Sequence, residues 1–303
     1  MSLQATAVKS VMGLFSNMLT SSGEPHELRE KIHNSCKRMP APPPEADYEQ
    51  IRIGGLRAYW VRYKGCNKGK AIMYLHGGGF MFGGTMTTHK DLVWRLSKAA
   101  QAPVLSVEYR LAPEHPFPQG LDDCIAAYRW LLDRYDPQSL AIAGDSAGGN
   151  LTCASLLRIR DEGLPLPAAG VALSPWTDML CTGESIKTNL HKDKLIPGEG
   201  LKEGVDYYLQ GADPSDPYAS PYYGDQHGLP PMLFQVGSEE VLLDDSRRLA
   251  RKMEEARVPV VLDIWEGLPH VWQALSMLIP EGKMAIDRIG IFLRGHMRAT
   301  EPK

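Results

Sequence analysis

Residues 143–150 read Ala-Gly-Asp-Ser-Ala-Gly-Gly-Asn and contain the pattern Gly144-x-Ser146-x-Gly148. This pattern is typical of a nucleophile elbow, in which a serine occupies a sharp turn between a strand and a helix. So tight a turn forces the serine backbone into unfavourable φ/ψ space, and a Cβ two residues to either side would collide with neighbouring backbone. The stretch therefore predicts a strand, a serine at a tight turn and a helix in succession.

The flanks of this stretch agree with that prediction. Residues 140–143 form a short apolar run suited to a buried strand, and residues 150–160 place Leu151, Ala154 and Arg158 at helical spacing. A helix that begins beside Ser146 points its N-terminus at any negative charge that forms there. A glycine-rich turn without chemistry is the alternative, so the surrounding sequence has to distinguish the two.

Apolar runs typical of buried strands recur along the chain and alternate with helical patterns. The strand-like runs cover residues 71–75, 103–107, 140–143, 168–173, 232–236 and 260–265, and the helical patterns cover residues 92–100, 121–132, 150–160 and 244–256. Such alternation predicts a parallel sheet covered by helices on both faces. Residues 48–53 and 56–62, joined by Gly54-Gly55, predict an antiparallel hairpin at its start.

Two segments do not fit the alternation. Residues 2–19 place apolar side chains on one helical stripe, and a second helix is predicted from Pro25 to about Arg38. Residues 179–230 form a long connection with one short helical piece at 201–209. From the residues alone, each segment suits either ordinary packed helices or a lid over a site.

Composition excludes several classes of protein. The 303 residues are 43% hydrophobic and 23% charged with a net charge of −3, which favours neither nucleic acid nor an anionic membrane as a partner. No apolar stretch approaches the roughly 18 residues of a membrane span. The five cysteines are scattered without a C-x-x-C pair, so we expect reduced thiols in a cytoplasmic protein and neither a disulfide framework nor a metal site.

A second glycine motif, His-Gly-Gly-Gly-Phe at residues 76–80, follows directly on the predicted strand 72–75. Consecutive glycines allow backbone N–H groups to approach a single oxygen closely. That is the requirement for an oxyanion hole, which stabilises the tetrahedral intermediate of acyl transfer. The rival is a phosphate-binding loop, but neither G-x-G-x-x-G nor G-x-x-x-x-G-K-[ST] occurs, so no nucleotide cofactor is expected.

A serine nucleophile needs a base, and the base needs an acid to hold it. Of nine histidines, His270 lies in a short loop immediately after the last predicted strand, which makes it the strongest candidate base. The acid is expected after the preceding strand, and spacing alone leaves four carboxylates open there: Glu239, Glu240, Asp244 and Asp245. The order serine, acid, histidine is the one expected of α/β-hydrolases.

Three stretches together match one known family: His-Gly-Gly-Gly-Phe at 76–80, Tyr-Arg-Leu-Ala-Pro-Glu-His-Pro-Phe-Pro at 109–118, and Gly-Asp-Ser-Ala-Gly-Gly at 144–149. From about Ile72 onward the chain resembles the hormone-sensitive-lipase-like esterases, a bacterial branch of the α/β-hydrolases. The resemblance implies an α/β-hydrolase fold, with a mostly parallel eight-stranded sheet, helices on both faces and a helical cap. It also implies a serine carboxylesterase that hydrolyses short-chain acyl esters without a cofactor.

By this resemblance, Ser146 is the nucleophile and His270 the base. The family's Asp-Pro-Leu-x-Asp run aligns onto residues 240–244, which places Glu240 at the acid position, without the proline. Asp244 and Asp245 are expected in the first turn of a helix, where an acid already complements the dipole. The backbone N–H groups of the oxyanion hole are then expected from Gly78, Gly79 and Ala147.

The family's cap is built from N-terminal helices and an insertion after the sixth strand. These correspond to residues 1–45 and 179–215, leaving residues 46–178 and 216–303 for the core. Phe80, Phe82 and the stripe at residues 8–19 are predicted to line an acyl pocket. The alternative function is a non-catalytic receptor, since gibberellin receptors resemble this family but lack the catalytic histidine. A small ester is the expected partner, and a homodimer is compatible with the sequence.

Overall fold

The protein is described by a computed structural model over residues 1–6, 24–196 and 198–300. Its strands are β1 Ala46–Ile53, β2 Leu56–Tyr63, β3 Ala71–Leu75, β4 Val104–Val107, β5 Leu140–Asp145, β6 Ala169–Leu173, β7 Met232–Gly237 and β8 Val260–Trp265. Its helices are α1 Pro25–Cys36, α2 Lys90–Ala100, α3 Gln119–Leu132, α4 Ala147–Asp161, α5 Ser185–Thr188, α6 Gly198–Leu209, α7 Leu243–Glu255 and α8 Pro280–His296.

The strands form one eight-stranded sheet in the order β1-β2-β4-β3-β5-β6-β7-β8. The pairs β1–β2 and β2–β4 are antiparallel, and every later pair is parallel. The predicted fold class and the hairpin at Gly54-Gly55 are both confirmed. Because the carboxyl ends of parallel strands lie along one edge, the loops after β3, β5, β7 and β8 converge there.

Side chains alternate between two hydrophobic cores, one on each face of the sheet. In β3, Met73 belongs to the core covered by α3, α4 and α7, whereas Tyr74 belongs to the core covered by α2 and α8. Ile142 and Ala143 of β5 divide in the same way. Both faces of the central strands are therefore buried, which explains why these strands are continuous apolar runs rather than alternating ones.

Helix α8, like the short α5, is an element that the sequence analysis did not predict. It lies beside α2, and at Gly290 a Cβ would overlap the carbonyl oxygen of Ala99. Glycine at this position lets the two helix backbones come into contact. Gly282 and Gly295 also fall within α8, and glycines weaken the helical signal of a sequence.

The helix predicted from Pro25 is confirmed as α1, while most of the stripe at residues 2–19 lies outside the described residues. The connection after β6 holds α5 and α6. Tyr208 of α6 accepts a hydrogen bond from the Phe117 amide through its carbonyl at 2.8 Å, so α6 is attached to the loop at residues 109–118. The division into core and cap stays a prediction. Within the described ranges, no helix combines the length and apolar character that crossing a bilayer requires.

Candidate active site

Ser146 lies between β5 and α4 in a strained conformation, with φ 54° and ψ −119°. Its amide donates to the Leu173 carbonyl at 2.8 Å, which holds the turn against the end of β6. A Cβ at Gly144 would overlap the carbonyl of Gly148, and one at Gly148 would overlap the carbonyl of Leu75. The predicted strand–turn–helix is confirmed, and these backbone contacts are the reason for both glycines.

His270 and Glu240 meet at the same edge of the sheet, from the loops after β8 and β7. His270 Nδ1 lies 2.7 Å from Glu240 Oε2, and both side chains are buried. The other carboxylate oxygen, Oε1, accepts from Ser174 Oγ at 2.7 Å and from the Gly237 amide at 2.5 Å. Glu240 therefore cannot turn away from the imidazole without losing two hydrogen bonds.

The pKa of His270 is set by two opposing effects. Burial alone would lower it, because a charged imidazolium loses its hydration. The negative charge of Glu240 and its hydrogen bond act the other way and raise the pKa of His270 above its ordinary value. The pair therefore makes the imidazole a stronger base than burial alone would allow.

The other candidate carboxylates have different partners. Asp244 Oδ2 accepts from the Ser185 amide at 2.8 Å. Asp245 Oδ2 accepts from the Thr177 amide at 2.6 Å, and burial raises the pKa of Asp245 to about 7. Glu239 lines a surface groove together with Asp244. Of the four carboxylates that spacing left open, Glu240 is the one that contacts His270.

Residues 76–84, here called the glycine loop, follow β3 and lie next to the elbow. Gly78 has φ 126° and Gly79 has φ 58°, both in the region that favours glycine. Within the part of the chain that the structure describes, no acceptor is bonded to the amides of Gly78, Gly79 or Ala147. These are the three amides predicted for the oxyanion hole.

Asp145, the residue before the elbow serine, connects β5 to the glycine loop. Its buried carboxylate accepts from Tyr74 Oη at 2.7 Å and from the Gly77 amide at 3.0 Å, and His89 Nε2 lies 2.9 Å away. Burial alone would raise the pKa of Asp145, but His89 and Tyr74 hold it below its ordinary value. Sequence reasoning missed this network, and its one sequence signal is the Asp inside the elbow motif.

Phe80 and Phe82 occupy different environments within the glycine loop. Phe80 is buried and stacks on Tyr208 of α6, with ring centroids 3.6 Å apart and an interplanar angle of 8°. Phe82 is half-buried. Their predicted contact with substrate stays a prediction. No group of three or more His, Cys, Asp or Glu side chains suited to a metal ion occurs among residues 1–6, 24–196 and 198–300.

Residues 72–274 match the family model described as alpha/beta hydrolase fold, and the chain belongs to that family. This range includes residues 72–75 of β3, the elbow, Glu240 and His270, so every loop of the candidate site lies within the match.

The relatives define the branch of the family. An acetyl-hydrolase of Streptomyces hygroscopicus is 40% identical over 282 residues, which is 92% of each chain. A solved esterase from the bacterial hormone-sensitive lipase family is 41% identical with a TM-score of 0.93, covering 98% of this chain and 99% of that one. The structure of EstE5 soaked with p-nitrophenyl butyrate is 43% identical, with the same TM-score and coverage. The predicted resemblance and the prediction of a carboxylic-ester hydrolase are confirmed.

Proposed function

We propose that this protein hydrolyses short-chain acyl esters through a Ser146–His270–Glu240 triad and an acyl-enzyme intermediate. The observation that supports this proposal best is the hydrogen bonding of the two ring nitrogens of His270. Glu240 engages Nδ1 at 2.7 Å, and no hydrogen bond among the described residues uses Nε2. A general base requires an imidazole with one nitrogen bound to a carboxylate and the other available to the nucleophile. His270 has this arrangement among the described residues, and it lies at the same edge of the sheet as the strained Ser146.

In the proposed first step, Ser146 Oγ attacks the ester carbonyl carbon and His270 Nε2 takes the hydroxyl proton. The carbonyl oxygen becomes an oxyanion and accepts hydrogen bonds from the amides of Gly78, Gly79 and Ala147. The N-terminus of α4 adds its positive end to the same place. The intermediate then collapses, the C–O bond to the alcohol breaks, and the imidazolium returns its proton to the leaving oxygen.

In the second step, water attacks the acyl-enzyme carbonyl and His270 takes one of its protons. The new tetrahedral intermediate expels Ser146 Oγ, which recovers the proton from the imidazolium, and the carboxylic acid leaves. In neither step is a proton transferred to Glu240. It keeps the Nδ1–H tautomer in place and stabilises the imidazolium that forms twice in each cycle.

Two lines of support favour short acyl chains. The Phe80–Tyr208 stack closes one side of the glycine loop with bulky rings. One relative is named an acetyl-hydrolase, and another was soaked with a butyrate ester. We propose acyl groups of about two to eight carbons, with residues 1–45 and 179–215 as the cap and with Phe80 and Phe82 at the acyl pocket. Each methylene that is buried adds ~0.8 kcal/mol, about fourfold in kcat/KM, until the pocket is full.

The competing receptor function is disfavoured by the presence of His270 and its contact with Glu240. A receptor needs the pocket but has no use for a basic imidazole beside a strained serine.

The test combines a fluorophosphonate probe with a panel of p-nitrophenyl esters from acetate to palmitate. We expect stoichiometric labelling at Ser146, located by peptide mass spectrometry, and no labelling of Ser146→Ala. Turnover is expected to peak between two and eight carbons. Binding of an ester without labelling or turnover would support the receptor, and a maximum at palmitate would refute the short-chain proposal alone.

A further inference from the structure

Arg29 of α1 makes contacts that nothing in the proposed mechanism uses. Its Nε donates to the Met81 carbonyl at 2.6 Å, and its Nη2 donates to the Ala112 carbonyl at 2.6 Å. The two terminal nitrogens also form a bidentate pair with Glu114, at 2.6 and 2.7 Å. One guanidinium from the N-terminal helix thus binds two backbone carbonyls and one carboxylate.

The Met81 carbonyl belongs to the turn that presents the predicted oxyanion amides. The Gly78 carbonyl accepts from the amides of both Met81 and Phe82, each at 3.0 Å, so this turn begins at Gly78. Gly78, Gly79 and Phe80 all have positive φ, and for Phe80, with φ 63°, this conformation is unfavourable. A turn with such backbone angles needs contacts from outside to stay in place.

Ala112 supplies a second link to the same turn. Its amide donates to the Phe80 carbonyl at 2.9 Å, while its own carbonyl accepts from Arg29. Arg29 therefore binds the turn directly at Met81. It also binds the turn indirectly at Phe80, through the backbone amide and carbonyl of Ala112. The two links hold consecutive carbonyls of the glycine loop.

The ion pair with Glu114 is not the important part of this arrangement. The Glu114 side chain is 51% exposed and that of Arg29 is 27% exposed, and exposed pairs of this kind contribute little to stability. The hydrogen bonds of Arg29 do hold the pKa of Glu114 down, at about 2, so the carboxylate is ionised and aligns the guanidinium. The contacts with the two carbonyls are the ones that constrain the loop.

We infer that Arg29 is a positioning residue for the oxyanion amides, and that the N-terminal helix acts on catalysis through it rather than only by covering the site. This inference rests on the proposed function, because it needs Gly78 and Gly79 to bind the oxyanion. Only an arginine meets the geometry, since a planar guanidinium reaches separate acceptors at once, whereas an ammonium is a point charge. α1 itself is anchored by the buried side chains of Leu28 and Ile32.

The test compares Arg29→Met and Arg29→Lys with Glu114→Gln, and uses Lys31→Met as a control that removes an exposed charge from the same helix. Each variant is assayed with p-nitrophenyl acetate for kcat and KM. Each is also titrated with an alkyl trifluoromethyl ketone, whose adduct with serine has a tetrahedral oxyanion. Melting temperatures are measured on the same samples.

We expect Arg29→Met to lower kcat about ten- to a hundredfold, less than the 10²–10³ lost when an oxyanion donor is deleted outright. The affinity for the ketone should fall by the same factor, with KM within about threefold. Arg29→Lys should lose at least about threefold in kcat, which keeps the test valid if Arg29→Met does not fold. Glu114→Gln and Lys31→Met should stay within about twofold of the wild type.

Unchanged kcat in both Arg29 variants would overturn the inference, and so would a loss in kcat without a matching loss in ketone affinity. Equal losses in Glu114→Gln and Arg29→Met would also overturn it, because the ion pair would then be the whole effect. A wild-type protein that neither turns over the ester nor binds the ketone would instead refute the proposed function.

Discussion

Two buried carboxylate–histidine pairs flank the elbow serine, and they differ in how the ring nitrogens are used. In the pair Glu240–His270, Nδ1 faces the carboxylate at 2.7 Å and Nε2 has no hydrogen bond among the described residues. In the pair Asp145–His89, Nε2 lies 2.9 and 3.0 Å from the two carboxylate oxygens. The other nitrogen of His89, Nδ1, lies 2.7 Å from the hydroxyl of Thr88.

The two carboxylates are alike, because each has two partners besides its histidine in the part of the chain that the structure describes. Asp145 is shared among His89, the hydroxyl of Tyr74 and the amide of Gly77, so it joins β3, β5 and the approach to α2. Glu240 accepts from Gly237 at the end of β7 and from Ser174 just after β6, so it likewise joins separate elements. Burial and short distance are therefore common to both pairs. What separates the proposed base His270 from His89 is a ring nitrogen that has no other partner among the described residues.

The largest effect is expected from His270→Ala. Loss of the base should lower kcat about 10⁴- to 10⁶-fold, and Ser146→Ala should be comparably damaging, because triad members act as a unit. Single-turnover and steady-state assays with p-nitrophenyl acetate measure both, with circular dichroism to verify the fold. Near wild-type turnover in His270→Ala would contradict the assignment of His270, rather than His89, as the base.

The next effect is expected from Glu240→Gln. The amide keeps the volume but removes the charge that stabilises the imidazolium, so kcat should fall on the order of 10²–10⁴. Glu239→Gln is the matched control and should lose less than about tenfold. Steady-state kinetics of the two variants show which carboxylate acts as the acid of the triad. A crippled Glu239→Gln or Asp244→Asn beside an active Glu240→Gln would reassign it.

Unlike His270→Ala, His89→Leu is expected to lower the stability of the fold while largely preserving activity. It removes a partner from the buried Asp145 carboxylate, which costs about 2 kcal/mol of stability and should lower the melting temperature by several degrees. At temperatures below melting, kcat should stay within about tenfold of the wild type. His89→Gln, which keeps a donor for Asp145, should recover part of the melting temperature. A His89→Leu protein that is fully stable but inactive would contradict the structural assignment.

The smallest effect concerns the pH profile. A base works only when neutral, and the pKa of His270 is raised above its ordinary value of 6.5. We therefore expect kcat/KM to fall as the pH decreases through a pKa above 6.5. In Glu240→Gln the burial of the ring remains and the largest opposing charge is gone, although Asp193 and Asp145 remain, so the acidic limb of the residual activity should move to lower pH. A limb that does not move would mean that Glu240 does not set this pKa.

Much of the fold could be predicted because most of its strands and helices have a local signal of their own. The alternation of apolar runs and helical patterns predicted the parallel strands and four of the helices that cover them. α8 was missed although Ala285, Ile289 and Leu293 stand at helical spacing, and its three glycines lower its intrinsic helix propensity. Gly290 is there for the contact with Ala99, which no local pattern reveals.

The sequence by itself determined the features that depend on backbone conformation over a few residues. The elbow at Ser146 and the glycine loop are of this kind, since a Cβ at Gly144, Gly148 or Gly78 would overlap neighbouring backbone. The position of His270 after the last strand followed from the order of the strands.

Tertiary structure decided the contacts between side chains that are far apart in the chain. Spacing left four carboxylates open, and the direction of the Glu240 side chain, 30 residues from His270, separates them. His89 and Asp145 are 56 residues apart, and Arg29 reaches a carbonyl 83 residues away at Ala112. Such contacts arise from the way loops converge at one edge of the sheet, and neither periodicity nor motif spacing encodes the direction in which a side chain then points.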